Sequence, residues 1–506
     1  MRSILESLLH HAERTPDKRC IAFDGTWTTY AELRARAERF AQALIIWGLR
    51  PADRVALFLE NSPDFLMAYL GTWWVGGTVV LVNTAYRQTE LRHILNDSGA
   101  RLCVTGGVQR AELNRVRHDL PSLERVLETG DDLDAFLRAP VGEAALHLPD
   151  AEALAVIGYT SGTTGRSKGA MLLHRNLLAN AQAVCEAWRW TSDDHLLLML
   201  PLFHTHGLMV GAHGTLVAGA SLELHRKFDA ATAYDRLLSG DFSMFFGVPT
   251  MYTRLIQEAR SRSTRPKPLR LYVSGSAALS PHTFAEFESL FGQKILERYG
   301  MTETIMNMTN PYDGERRPGT VGMPFPRQQA RVVDVRSRRP LPPETIGEIE
   351  VRGPHVFAGY LNRPEATAES FDAEGEGWFR TGDLGQVSAD GYFTITGRAK
   401  ELIITGGYNV YPREVEDVLA QCPGVAEAAV FGLPDAEFGE CVCAALVRSD
   451  AAPISLLTDE AVIAFCKEQL ASYKKPRRIF FMDSLPRNAM GKVQKHLIVG
   501  RLKSLL

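Results

Sequence analysis

The chain has 506 residues, 45% of them hydrophobic and 23% charged, the make-up of an ordinary globular protein with ample core. A formal net charge of −3 lacks the basic footprint of a nucleic-acid binder and gives no electrostatic reason to sit on an anionic membrane. Seven cysteines, an odd number without a CxxC pair, argue against a disulfide framework or zinc site and for a reducing, cytoplasmic setting.

The N-terminal "MRSILESLLHHAERTPDK" carries Glu and His through its apolar part and reads as an amphipathic helix, not a signal peptide. Two long runs lack formal charge, from Phe65 to Tyr86 and from Leu196 to Leu222. The first is broken by Gly71, Gly76 and Gly77 and ends in the strand-like "TVVLVN"; the second contains Pro201 and three His. Both therefore predict buried helix-then-strand units and no membrane span. Helical stretches alternate with short β-branched runs ("DRVALFL", "ARLCVTG", "ALAVIGYT", "RLYVSGSA"), which predicts parallel sheets covered by helices.

From about Gly319 the texture changes: Gly and Pro become dense and short alternating strands take over, predicting a smaller, mostly antiparallel β subdomain. A further break falls near "TGRAKELIITGGYNVYPREVEDVL". After it the pattern predicts a compact α+β unit: helix 412–421, strand 427–432, strand 441–448, helix 458–470, strand 478–482. Cys441 and Cys443 would share one face of their strand. The division expected is a large α/β domain over 1–397, made of two parallel-sheet subdomains and the β subdomain, and a small domain over 398–506.

The stretch "YTSGTTGRSKGAM", Tyr159 to Met171, could contribute little to a core. A Gly-rich loop after an apolar strand suits close approach of backbone to an anion: glycines permit unusual dihedrals, amides and hydroxyls surround phosphate oxygens, and a Lys supplies charge. The spacing of Gly162, Gly165, Lys168 and Gly169 does not fit the common P-loop, and no Ser or Thr follows the Lys.

In its order of residues this string resembles the signature of adenylate-forming enzymes, the acyl-CoA synthetases, luciferase-like enzymes and adenylation domains. Further matching segments follow in family order across nearly the whole chain. The resemblance implies that Thr160, Ser161, Gly162, Thr163, Thr164, Gly165 and Lys168 bind ATP, with Ser276 and Ala277 of "SGSAAL" at the adenine. In "YGMTE" it implies Tyr299 as a ring against adenine, Thr302 at the α-phosphate and Glu303 as the Mg²⁺ ligand. It gives Asp383 of "TGD" and Arg398 of "GRAKE" to the ribose hydroxyls, and Lys492 to catalysis. The implied mobile C-terminal domain would pivot at Lys400 and present Gly406 and Gly407 to the acceptor thiol. Many relatives have Asp at the hinge, and Lys is also common.

Each assignment makes chemical sense. A carboxylate acylates poorly because its leaving group would be oxide. Attack on the α-phosphate of ATP expels pyrophosphate and leaves a mixed anhydride. Two anions must meet, so cations have to cancel their repulsion. The chain ends shortly after Lys492, so the expected acceptor is free coenzyme A and not a carrier domain.

"PLFHTHGL" resembles the family segment bordering the acyl pocket, with His204 at the usual position. Metal ligation by His204, Thr205 and His206 is disfavoured, since no Cys or acid cluster accompanies them. Arg298 in "ERYGMTE" stands where many fatty-acid members carry a small or polar residue. An Arg there is costly to bury without an anion, and Arg254 is a second candidate for a clamp on a carboxylate. Ser274 would also line the pocket and Met306 close its far end. The run "ERYGMTETIMNMTNPYDGERRPGTVG" resembles malonyl-CoA synthetases more than the family at large. The expected activity is thus an ATP-dependent acid–thiol ligase for malonate or methylmalonate, working as a monomer or homodimer. Its rivals are a CoA ligase for a fatty or aryl acid, an adenylating enzyme with another acceptor, and a nucleotide-binding pseudoenzyme; Arg298 pairing with Glu297 or Glu303 is the competing use of that residue.

Overall fold

The computed structural model describes residues 1–138, 146–160, 167–373, 375–449, 457–488 and 491–503. The chain divides into two compact units: residues 1–330 with 351–379, and residues 331–350 with 380–506.

Two sheets organise the first unit. One has six strands in the order Arg125–Glu128, Leu102–Thr105, Arg54–Phe58, Thr78–Leu81, Leu154–Thr160, Lys168–Leu173. The first five run parallel, and the last turns back antiparallel. The other sheet has nine strands around a parallel centre formed by Leu296–Tyr299, Leu271–Ser274, Met244–Gly247, His195–Leu198, Ser221–Leu224 and Arg19–Phe23. Their apolar runs and crossover helices follow from burial on both faces, which is what parallel strands require. The α/β class expected from strand–helix alternation is therefore what forms.

Local signals explain the helices. Ser3 accepts the Glu6 amide at 3.2 Å and starts Ile4–Arg14, the amphipathic helix expected at the N-terminus. Thr29 and Glu32 form a reciprocal capping box on Tyr30–Trp47. The uncharged run after Phe65 is the helix Pro63–Trp74, buried at every residue from Phe65 to Trp74, followed by the strand Thr78–Leu81. The second uncharged run is two strands flanking helix. Among the described residues no helix is long and apolar enough to cross a membrane.

In the second unit, Phe379–Val387 and Phe393–Arg398 pair antiparallel within a four-stranded sheet that also takes in Gln329–Val333 and Gly347–Arg352. This is the β texture read from the Gly- and Pro-rich segment. Because those two earlier strands return to join it, the compact units part at Phe379 and Arg380, with residues 331–350 as an excursion, where the sequence pattern suggested a single cut at Arg398. Beyond it lie helix Pro412–Leu419, strands Val425–Asp435 and Gly439–Arg448, helix Asp459–Gln469 and strand Arg478–Phe481, in the order expected. Cys441 and Cys443 do share a strand face, their sulfurs 3.4 Å apart and buried.

Three buried histidines of the first unit predict acid sensitivity. His174, His213 and His355 are 2%, 0% and 0% exposed, and burial lowers their pKa values to about 4, 3 and 3. His213 Nε2 meets the Tyr69 hydroxyl at 3.0 Å, and His355 Nε2 meets Asn307 Oδ1 at 3.0 Å. Each stays neutral when folded but takes a proton when unfolded below its ordinary value of 6.5. Stability from these groups is thus complete above that value and is lost as pH falls toward the folded values. Between pH 6.5 and 5.5 the loss is roughly 1 kcal/mol per histidine. Urea midpoints are expected to fall across that window, above the carboxylate range; a flat profile would contradict neutral burial.

Candidate active site

Signature residues of the first unit sit at the carboxyl ends of parallel strands, where open α/β sheets place their ligand crevices. Strand Leu154–Thr160 leads into the Gly-rich loop and strand Lys168–Leu173 returns from it, with Thr160 opposite Lys168. Ser161, Gly162, Thr163, Thr164 and Gly165 lie outside the described residues. Lys168 holds its ammonium over the Tyr360 ring, 4.8 Å from the centroid. The Tyr360 hydroxyl in turn donates to Glu303 Oε1 at 2.8 Å. A cation, an aromatic ring and a buried carboxylate are therefore linked in series, and Tyr360 is a member that motif reading did not single out. Glu303 is 5% exposed, and its hard oxygen donors suit Mg²⁺. Among the described residues no group of three or more His, Cys, Asp or Glu could hold a metal. A single carboxylate fits a Mg²⁺ ion carried chiefly by substrate phosphates and water.

Strand Leu271–Ser274 ends in Gly275, Ser276 and Ala277. Ser276 has φ +68°, in the left-handed region that non-glycine residues seldom occupy and that clusters at functional sites. On the neighbouring strand Leu296–Tyr299, side chains alternate faces. Glu297 Oε1 accepts the Leu279 amide at 2.9 Å. Arg298 packs against Gly275: a Cβ there would lie 2.5 Å from the guanidinium carbon. A side chain at position 275 would force the guanidinium to shift.

Arg298 is 3% exposed, and its Nε and Nη2 have no hydrogen-bond partner. Burial pulls its pKa down to about 9, which still leaves it charged at neutral pH. Among the described residues no ion pair joins it to Glu297 or Glu303, although the charge of Glu297 partly opposes the effect of burial. Ser274 is fully buried with its hydroxyl also unpartnered. Met306 is 1% exposed and Tyr299 8%, while Asn180 fixes the turn between strands by donating to the Met306 carbonyl at 2.8 Å. Thr302 is half-buried. Arg254 is exposed on the helix Pro249–Ser261, outside this buried group.

His204 is half-buried, and its Nδ1 accepts the His206 amide at 3.3 Å. His206 is fully buried, and both its ring nitrogens lack partners. Burial first, and then the charge of Arg298, lower the pKa of His204 to about 4 and that of His206 well below its ordinary value. The repeated histidine of "HTHG" was visible in the sequence; which of the two is wholly enclosed was not.

In the second unit, Asp383 and Arg398 face each other across paired strands, with Arg398 Nε 2.6 Å from Asp383 Oδ1. Asp383 is buried, and its amide donates to the Thr381 hydroxyl at 3.0 Å. Lys400 is exposed in the short helical turn Ala399–Glu401. Gly406 and Gly407 join strands Ile403–Thr405 and Tyr408–Val410 as a two-residue hairpin with φ +56° and +82°. Positive φ at both central positions is what a right-twisted tight hairpin needs, so glycine is demanded at that tip. Lys492 lies beside a turn in which its amide donates to Asn488 Oδ1 at 3.0 Å and its carbonyl accepts the Asn488 amide at 2.9 Å. The residue as a whole is exposed, yet its ammonium is crowded by protein and feels Arg398. Together these hold its pKa below the usual lysine range, against the opposing pull of Asp383 and Glu401. Lys495, bridging Glu401 at 3.2 Å and Glu416 at 2.7 Å, anchors the segment that follows.

Residues 8–361 match the family model of the AMP-binding enzyme and residues 414–492 that of the AMP-binding enzyme C-terminal domain. The chain is 33% identical to a malonate–CoA ligase of Arabidopsis thaliana, over 98% of this chain and 88% of that protein. It is 36% identical to a sulfoacetate–CoA ligase of Cupriavidus necator, over 96% and 95%. Among solved structures it is similar to ATP-bound MatB from Rhodopseudomonas palustris, with TM-score 0.92 and 40% identity over 100% of this chain and 99% of that one. The chain belongs to the AMP-binding enzyme family and is, within that adenylate-forming superfamily, an AMP-forming acyl-CoA ligase.

Proposed function

We propose that this ligase activates a short dicarboxylate, malonate or methylmalonate, as its acyl-adenylate and passes the acyl group to coenzyme A. The observation that carries the reading is Arg298: a charged guanidinium, 3% exposed, seated on Gly275 with two nitrogens unpaired. A buried charge without a partner is expensive, and a bound anion would repay it. A guanidinium fork holds a carboxylate by paired hydrogen bonds. One carboxylate of the acid would be clamped while the other is activated. Three relatives, ligases of malonate, oxalate and sulfoacetate, are named for acids with a second anionic end, while others are named for a bicyclic propanoate or a long-chain fatty acid.

In this reading Lys168 and Thr302 hold phosphate oxygens and Tyr299 stacks on adenine. Ser276 and Ala277 border that ring, and Asp383 with Arg398 takes the ribose hydroxyls. Glu303, steadied by Tyr360, would hold Mg²⁺, which when bound neutralises phosphate charge. Lys492 offers its ammonium to the reacting carboxylate and α-phosphate. Arg254 is left as an outer cation at the acid's approach, and His204 and Met306 as pocket walls. Gly406 and Gly407 form the hairpin past which the thiol of coenzyme A enters, after a pivot at Lys400.

The test is acid-dependent exchange of labelled pyrophosphate into ATP over a panel of malonate, methylmalonate, succinate, butyrate and benzoate. Malonate and methylmalonate should support exchange at least tenfold better than the monocarboxylates, since an analogue that leaves buried polar groups unpaired is strongly rejected. A preference for butyrate or benzoate would overturn the dicarboxylate reading and favour a fatty- or aryl-acid ligase.

A further inference from the structure

A helix that no motif marked holds both ends of the Gly-rich loop. Helix Gln88–Ser98 carries His93 and Asp97 four residues apart, on one face. Tyr159, on the strand entering the loop, donates its hydroxyl to Asp97 Oδ2 at 2.9 Å. Ser167, just before the strand that leaves it, offers its backbone carbonyl to His93 Nε2 at 2.8 Å. A carbonyl only accepts, so Nε2 is the donor. Gly169 leaves room for the Tyr159 ring: a Cβ there would lie 3.2 Å from the ring carbon bearing the hydroxyl and 2.8 Å from an Ile157 methyl. Asp97 reaches further. Its Oδ1 stands 3.4 Å from Arg363 Nη2, and its carbonyl accepts from Asn362 Nδ2 at 3.0 Å. Those residues end the segment in which Gly359 and Leu361 bond backbone to backbone with Met171 and Gly169, and in which Tyr360 joins Lys168 to Glu303.

Helix stability does not account for Asp97. It is the last residue but one of its helix, where a negative charge opposes the helix dipole. The Arg363 side chain is 43% exposed, so their ion pair alone is worth little. The Asp97 side chain is only 11% exposed, and its contact with Tyr159 is a charge-assisted hydrogen bond, about twice as strong as a neutral one. What the carboxylate gives is therefore a fixed position to the loop's entry strand and to segment 359–363.

We propose that Asp97, seconded by His93, is a positioning residue for adenylation. Through Tyr159 and segment 359–363 it holds Lys168 and Glu303 at the spacing that the ATP phosphates need, and it touches no substrate itself. This rests on the reading in which Lys168 and Glu303 serve the phosphates and their Mg²⁺. It adds a brace behind that pair, so that the grip on ATP depends on a carboxylate that lies outside every signature motif.

The full chain is tested with Asp97→Ala, with Asp97→Asn, which keeps an oxygen to accept the Tyr159 hydroxyl, and with Tyr159→Phe, which keeps the ring over Gly169 and loses the hydroxyl. In pyrophosphate exchange, Asp97→Ala is expected to raise the KM for ATP about tenfold, the weight of one hydrogen bond to a charged group. Tyr159→Phe should raise it about fivefold, and joining the two should add little because they remove the same bond. Asp97→Asn should recover most of the loss. His93→Leu should raise the KM for ATP severalfold, and His93→Gln, which returns an N–H, should restore it. The second half-reaction separates positioning from general damage: chemically prepared malonyl-adenylate carries no β- or γ-phosphate, so its conversion with coenzyme A should stay within about twofold of the parent. Equal loss in both half-reactions would overturn the proposal, and so would an unchanged KM for ATP in Asp97→Ala and Tyr159→Phe. Should Asp97→Ala fail to fold, Tyr159→Phe, which lacks a single oxygen, decides alone. An unchanged KM for ATP in Lys168→Ala would mean that the phosphate reading itself fails; a raised one there with Asp97→Ala unaffected removes only the role of Asp97.

Discussion

Arg298→Ala is expected to lower kcat/KM for malonate by about 10²- to 10³-fold while the KM for ATP changes little. The size follows from leaving a desolvated carboxylate without its charged partner, a loss of roughly 3–4 kcal/mol. Arg298→Met, which keeps length without charge, should lose malonate to the same degree. Stability supplies an independent check. The guanidinium nitrogens Nε and Nη2 are buried without a hydrogen-bond partner. Removing an uncompensated buried charge should leave the melting temperature of Arg298→Met equal or higher. A variant that melts well below the parent would mean that Arg298 is structural, and one that handles malonate normally would end the dicarboxylate reading.

Lys492→Ala is expected to cut adenylation by about 10²- to 10³-fold, the usual weight of one well-placed electrostatic donor. The carboxylate and the α-phosphate are both anions, and without the ammonium nothing on this residue offsets their repulsion. Chemically prepared malonyl-adenylate, supplied with coenzyme A, should still be converted to thioester at close to the parent rate, because in the proposed reading the charge serves to make the mixed anhydride and not to break it. Equal loss in both half-reactions would contradict the division of labour. Lys492 is held below the ordinary lysine pKa by the crowding of its ammonium and by Arg398. The adenylation rate should therefore fall on the alkaline side at a lower pH than a free lysine would give, and the substitution Lys492→Arg should move that limb upward if geometry allows any activity.

Much of this chain could be read without coordinates. Alternating helices and β-branched strands determined parallel sheets, because only buried strands can afford uninterrupted apolar runs. The uncharged run after Phe65 declared a buried helix by its glycines and following strand. The C-terminal elements fell within a few residues of their expected bounds, and the ordered motifs identified the family and the reaction it performs. Local composition and short-range order carry that information, so it survives in one dimension.

Other decisions needed distant residues to meet. The four-stranded sheet draws residues 331–350 in with the C-terminal part, and no local signal announces a strand that leaves and returns. Arg254 and Arg298 look alike as candidate clamps, yet one is exposed on a helix and the other is sealed against Gly275. His204 and His206 stand two residues apart, and only a π-helical turn enclosed by a neighbouring strand buries the second completely. Tyr360 joins Lys168 to Glu303 across nearly two hundred residues of chain. Burial and pairing are properties of three-dimensional neighbourhoods. The sequence by itself determined which chemistry this protein carries, and the tertiary structure decided which of its polar side chains are buried and which stand exposed.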